Sequence, residues 1–108
     1  MITVLIKLAN EKIPAKFQVI GCDSSIEGGG GRLERIFGVC LTVRRIYPKS
    51  DSIWTSGKSP VCRHIWVNDY GDITEVIYNS RKYDFKKKHD AEMFYNAITT
   101  ELALEGLN

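Results

Sequence analysis

The chain of 108 residues is short of several things, and each shortage excludes a class of protein. It has three cysteines, Cys22, Cys40 and Cys62, widely spaced and with no CxxC pair. A disulfide scaffold or a zinc ribbon needs denser, paired cysteines, so free thiols in a reducing compartment are expected. It has two histidines, His64 and His89, and no order of Ser, His and Asp that argues for a triad. No run approaches the roughly 18–20 apolar residues of a membrane helix. Ile2 to Ala9 is broken by Thr3 and Lys7, lacks a charged lead and is too short for a signal peptide. The expectation is a cytoplasmic protein. There is little net charge, +2 from 15 Lys+Arg and 13 Asp+Glu, yet the distribution is uneven. Residues 90–108 contain no Lys or Arg and four acids, so residues 1–89 hold all 15 basic side chains against 9 acidic ones. That is a weak pointer to partners, not a nucleic-acid signature.

What is present is ordinary apolar content, 44%, over a length that suits one domain. The expected organisation is a single globular domain over 1–108, with no repeat and no linker. Gly28 to Gly31 is its one low-complexity piece. Four glycines in a row lose too much backbone entropy to hold a strand easily, so 22–33 is expected as a mobile loop.

Alternation supplies the strands. Ile2, Val4, Ile6 and Leu8 share one face, as do Phe17 and Val19. Phe37, Val39, Leu41 and Val43 form the cleanest row, with Cys40, Thr42 and Arg44 opposite and Pro48 ending the run. A short strand is expected at Ser52 to Thr55. Val61, Ile65 and Val67 share a face that Arg63 interrupts. Asn68 to Asp72 reads as a hairpin turn with Gly71 at positive φ, after which Ile73 to Tyr78 pairs back. Asn79-Ser80 turns the chain into a last strand at Tyr83 to Phe85.

The period then changes. Ala91, Phe94, Tyr95, Ile98 and Leu102 form one helical stripe over 90–105. Asp90 is the expected N-cap, Gly106 the C′ residue, and Leu107 the C″ partner of Leu102 in a Schellman ending. The expected fold class is α+β: a mostly antiparallel sheet or curled roll of six to seven short strands with one C-terminal helix packed on it. This count resembles the pleckstrin-homology-like roll, in which a C-terminal helix plugs one end of a bent sheet. Other α+β sandwiches fit the same pattern. No phosphoinositide-type basic motif stands in the first hairpin, where Lys7, Lys12 and Lys16 are spread out. The helix lacks the tryptophan common in that superfamily, a place Phe94 or Tyr95 would fill.

Chemistry is sparse. Gly57-Lys58-Ser59 looks like the end of a P-loop, but Ser52 stands where the first glycine belongs and Pro60 follows instead of a helix, so a turn is favoured. Gly28 to Gly31 with Arg32 could wrap an anion, although a flexible connector is the simpler reading. Cys62 and His64, two apart on a strand, share a face and, with Cys22 or Cys40, could supply zinc ligands, or form a Cys–His nucleophile pair. Zinc needs about four ligands, of which only two are placed locally, and the nucleophile pair lacks an orienting third group and an oxyanion site. Asp69 and Asp72 are explained by turn chemistry, and Glu75 matters only if buried. The strongest feature is Arg81-Lys82-Tyr83-Asp84-Phe85-Lys86-Lys87-Lys88, five cations interleaved with two rings, to which Arg44, Arg45, Tyr47, Trp54 and Trp66 add.

The reading that follows is a non-enzymatic binding module with no metal or cofactor. It would act on a protein partner as an adaptor, or as an inhibitor of the kind bacteria and their phages direct at larger machines. Its contacts would be the sheet edge, the glycine-rich loop with Arg32, and the Arg44/Arg45 strand end. The alternative is a nucleic-acid or phosphorylated-ligand binder using Arg44, Arg45, Arg81, Lys82, Lys86, Lys87 and Lys88. An enzyme using Cys62 and His64 ranks third.

Overall fold

A computed structural model describes residues 1–28, 35–47 and 62–107. They form an α+β fold of one antiparallel sheet and one C-terminal helix. The strands are β1 (Thr3–Ile6), β2 (Ala15–Gly28), β3 (Arg35–Ile46), β4 (Arg63–Asn68), β5 (Glu75–Tyr78) and β6 (Arg81–Asp84), and the helix is α1 (Lys88–Leu104). The sheet order is β4-β3-β2-β1-β5-β6. Arg32, part of the glycine run, the Ser52 to Thr55 strand, Trp54 and the Ser56 to Pro60 turn lie outside the described residues.

The structure departs from the sequence-based expectation in the glycine-rich stretch and in the strand order. Residues 22–28 continue β2 and do not begin a loop. Asp23 pairs with Cys40, Ser25 with Gly38, and Gly28 with Arg35. Ladder bonds to β3 hold this segment extended despite its weak strand propensity. Nor does β5 pair with β4: it pairs with β1, Leu5 opposite Ile77. The turn after β4 carries the chain across the sheet instead of folding it back.

That crossing requires curvature. Four strand spacings separate β4 from β5, about 19 Å in a flat sheet. Yet the Asn68 N–H, at the end of β4, donates to the Ile73 carbonyl at 3.3 Å. Ile73 is two residues from the start of β5, at most about 7 Å of chain. The sheet therefore curls until these strands approach. A bulge in β2 between Val19 and Gly21 bends the strand in the middle of the roll.

The turn itself is built on Asn68, which is buried and accepts the Tyr70 N–H on Oδ1 at 2.8 Å. Gly71 does not have positive φ; among the described glycines only Gly106 does. A Cβ at Gly71 would sit 3.0 Å from Asn68 Oδ1, so close packing, not a left-handed backbone, favours glycine there. Asn79 and Ser80 both have positive φ, 51° and 62°, which gives the two-residue β5–β6 turn the twist a hairpin needs.

The concave face collects the apolar rows read from alternation. Ile2, Val4, Ile6, Phe17, Val19, Val39, Leu41, Val43, Ile65 and Val67 are all buried. Helix α1 lays Ala91, Phe94, Ile98 and Leu102 on them. Phe94 is the centre, with edge contacts to Tyr78, Tyr83 and Phe85 at ring-centroid distances of 5.9, 5.3 and 5.6 Å. Burying three large side chains of the stripe contributes about 1.5–3 kcal/mol each, whereas a lone helix of this length is marginal in water.

The helix starts two residues before its expected N-cap. Lys87 is the N-cap and makes no side-chain cap bond. Asp90 lies within the first turn and accepts the Asp84 N–H at 3.1 Å, tying α1 to the end of β6. At the other end Gly106 N–H donates to Ala103 and Leu107 N–H to Leu102, the two bonds of a Schellman motif.

Phe94→Ala is expected to cost about 3–5 kcal/mol in a urea melt, and a loss under about 1 kcal/mol would remove Phe94 from the core. Gly38→Ala places a Cβ 2.8 Å from the Val67 carbonyl and 2.9 Å from Asn68 Cβ. It is expected to cost about 1–3 kcal/mol, and a neutral result would contradict the β3–β4 packing.

Candidate functional site

The sheet separates residues that look clustered in sequence. Arg44 and Arg45, adjacent at the end of β3, point to opposite faces. Arg44 Nε donates to Cys62 Sγ at 3.3 Å on the convex face. Arg45 donates from both terminal nitrogens to the two carboxylate oxygens of Glu11, Nη1 to Oε2 at 2.9 Å. Those hydrogen bonds hold Glu11 below the ordinary carboxylate range, against a smaller opposing effect of burial. Arg45 also stacks over the Tyr47 ring at 5.4 Å.

The run at 81–88 divides in the same way. Arg81 lies over the Tyr83 ring at 4.7 Å and is 3.9 Å from Asp90. Lys82 is on the other face, paired with Glu75 at 3.2 Å. Lys88 is 3.9 Å from Glu92 along the helix. Lys86 and Lys87 are exposed where β6 passes into α1. Three of the five cations thus face acids of the same chain, and the five do not make one basic surface.

Cys62 and His64 do share the convex face and are both exposed, as the strand period requires. They engage different β3 residues, Cys62 with Arg44 and His64 Nδ1 with Thr42 Oγ1 at 3.1 Å. No group of three metal-ligating side chains forms among the described residues. Glu75 is exposed, and so does not meet the condition that would have made it a candidate acid.

The convex face holds a feature that reading along the chain missed. Ile46 of β3 pairs with Lys16 of β2, Lys16 with Leu5 of β1, Leu5 with Ile77 of β5, and Ile77 with Lys82 of β6. These five residues make one row across five strands, on the side away from α1. Lys16 and Lys82 are exposed, Leu5 is 36% exposed, and Ile46 and Ile77 are half-buried. Among the described residues, three shallow clefts flank the row. One, of about 320 Å³, is lined by Leu5, Leu8, Pro14, Ile73, Ile77 and Lys82. A second, of about 340 Å³, shares Leu5 and Ile77 with it and adds Lys16. A third, of about 580 Å³, lies between Ile13, Lys16, Ile46 and Tyr47. The signal was present in sequence: Leu5, Ile46 and Ile77 are apolar at positions where alternation turns the side chain outward.

Comparison of the chain with protein-family models, with curated proteins and with solved structures gives no match. No helix among the described residues is long and apolar enough to cross a membrane.

The thiols report on the two faces. Cys22 is buried against the helix side, and burial first, then Asp23 and Cys40, pushes its pKa up to about 12. Partial burial, then Asp23, also raises Cys40. Ellman's reagent at pH 8 is expected to modify Cys62 first, Cys40 more slowly and Cys22 only on unfolding, as followed by mass spectrometry. Early labelling of Cys22 would contradict its place in the core.

Proposed function

We propose that this chain is a non-enzymatic binding module that acts on a protein partner as an adaptor or inhibitor, and that it binds with the convex face of its sheet. The observation that carries the reading is the row Ile46–Lys16–Leu5–Ile77–Lys82. An antiparallel sheet with one packed face normally turns polar residues to water on the other. Here three large aliphatic side chains stand on that side, two of them adjacent, among cations. Trp66 and Arg44 lie on the same face, and aromatic and Arg side chains are enriched where proteins bind each other. The Arg44 half of the expected strand-end contact belongs to this surface, whereas Arg45 is engaged with Glu11.

The phosphate-binding alternative draws less support, because its cations are dispersed and largely matched by acids. A titration with single-stranded DNA separates the two readings. Tight binding at about 50–100 mM salt that collapses as salt rises would favour the alternative.

The test of the protein-partner reading is site-specific photo-crosslinking in the source cell. Benzoylphenylalanine at position 5 is expected to give one discrete protein adduct, abolished by Ile77→Asp. The same probe at position 93, exposed on α1, is expected to give none. No adduct from position 5, or equal adducts from both positions, would overturn the assignment of the face.

A further inference from the structure

We infer that the segment this face receives is acidic: an extended or helical stretch of a partner protein whose apolar side chain rests on Leu5 and Ile77 and whose carboxylate meets Lys16. The inference rests on the binding-face reading and adds the chemistry of the ligand. It follows from which charges on the face are already matched. Glu75 pairs with Lys82 at 3.2 Å, and Glu11 is taken up by both terminal nitrogens of Arg45. Those two carboxylates lie at opposite ends of the cleft system, and each has its cation. Between them Lys16 is exposed and pairs with no acid among the described residues.

Lys16 is also where the geometry converges. It stands between Ile46 and Leu5 in the row and lines two of the three clefts. Lys7 adds a second exposed cation at the rim of the remaining cleft. Two acids line that cleft: Glu75, which is paired with Lys82, and Asp72. A ligand with an apolar side chain flanked by carboxylates matches this order: aliphatic floor at Leu5 and Ile77, ammonium at Lys16, ammonium at Lys7. A basic segment would bring like charge onto Lys16, and the acid that shares its cleft, Glu11, is already held by Arg45; like-charge juxtaposition is what excludes wrong partners.

The test uses two synthetic ten-residue peptides with the same leucine positions, one carrying Glu and the other Lys at the remaining charged positions. Each is titrated into the ¹⁵N-labelled full chain. The Glu peptide is expected to shift the amides of Leu5, Lys16 and Ile77 in a saturable way, weakening at least threefold between about 50 and 200 mM salt. The Lys peptide is expected to leave them unmoved. Lys16→Glu, an exposed substitution whose fold the same spectrum checks, is expected to reverse the preference. Equal shifts from both peptides, or a preference that survives Lys16→Glu, would overturn the acidic-ligand inference and leave the binding face standing on its crosslinks. Shifts confined to other parts of the chain would overturn it as well. Loss of the crosslink at position 5 would instead remove the face itself, so the two failures are distinct.

Discussion

The structure depends on one packing event, the seating of Phe94 among Tyr78, Tyr83 and Phe85. Those three rings come from β5, β6 and the residue that follows β6. Phe94 comes from the helix, whose other buried residues, Ala91, Ile98 and Leu102, face the strands. A four-residue strand has almost no independent stability, and β5–β6 is a hairpin of two such strands. It persists because its inward rings close on the helix while Ile77 holds it against β1. Asp90 adds a bond from the first helical turn to the end of β6. The helix therefore both fills the concave side and fastens the last two strands to the first four.

That arrangement determines what remains for function. The described residues form one helix and one curled sheet, and that helix covers the concave side. The convex side keeps the side chains that alternation turns outward, and no helix among the described residues packs on it. The long β2–β3 hairpin enlarges this side further. Its ladder runs from Lys16 opposite Ile46 to Gly28 opposite Arg35, whereas β1 pairs with β2 only at residues 15–18.

The inward half of the fold was legible in the sequence because it obeys short-range periodicity. Phe17 and Val19, Val39 to Val43, and the stripe from Ala91 to Leu102 each announce a face within a dozen residues. The Schellman ending at Gly106 was legible for the same reason. What could not be read was the pairing of distant segments. Nothing in Ile73 to Tyr78 distinguishes β4 from β1 as its neighbour. The curl that brings Asn68 to Ile73 is a property of the whole sheet. The extension of β2 through residue 28 failed for a related reason: glycine-rich propensity argued for a loop, and cross-strand hydrogen bonds to β3 outweighed it. The candidate surface depends wholly on pairing of this kind. Leu5, Ile46 and Ile77 are unremarkable singly and become one row only once register is known. The cations show the converse, since Arg81 to Lys88 looks concentrated until a strand and a helix start send its members in different directions.

Strand propensity alone accounts for part of that row, and the part it does not cover is informative. Ile46 and Ile77 are β-branched and suit a strand on either face. Leu5 is not, and it occupies the outward position between Thr3 and Lys7 in a strand whose inward residues, Val4 and Ile6, with Ile2 just before them, already supply its share of the core. A polar residue there would keep the strand and lessen the exposed apolar area of a central row, where contiguous apolar surface invites unwanted association. Lys16 and Lys82 interrupt the row at two of its five positions, which limits that hazard while preserving the adjacent Leu5–Ile77 pair. An apolar pair bounded by charge, on a face the helix cannot reach, has no role in closing this core; its physical consequence is a small surface that gains by being covered.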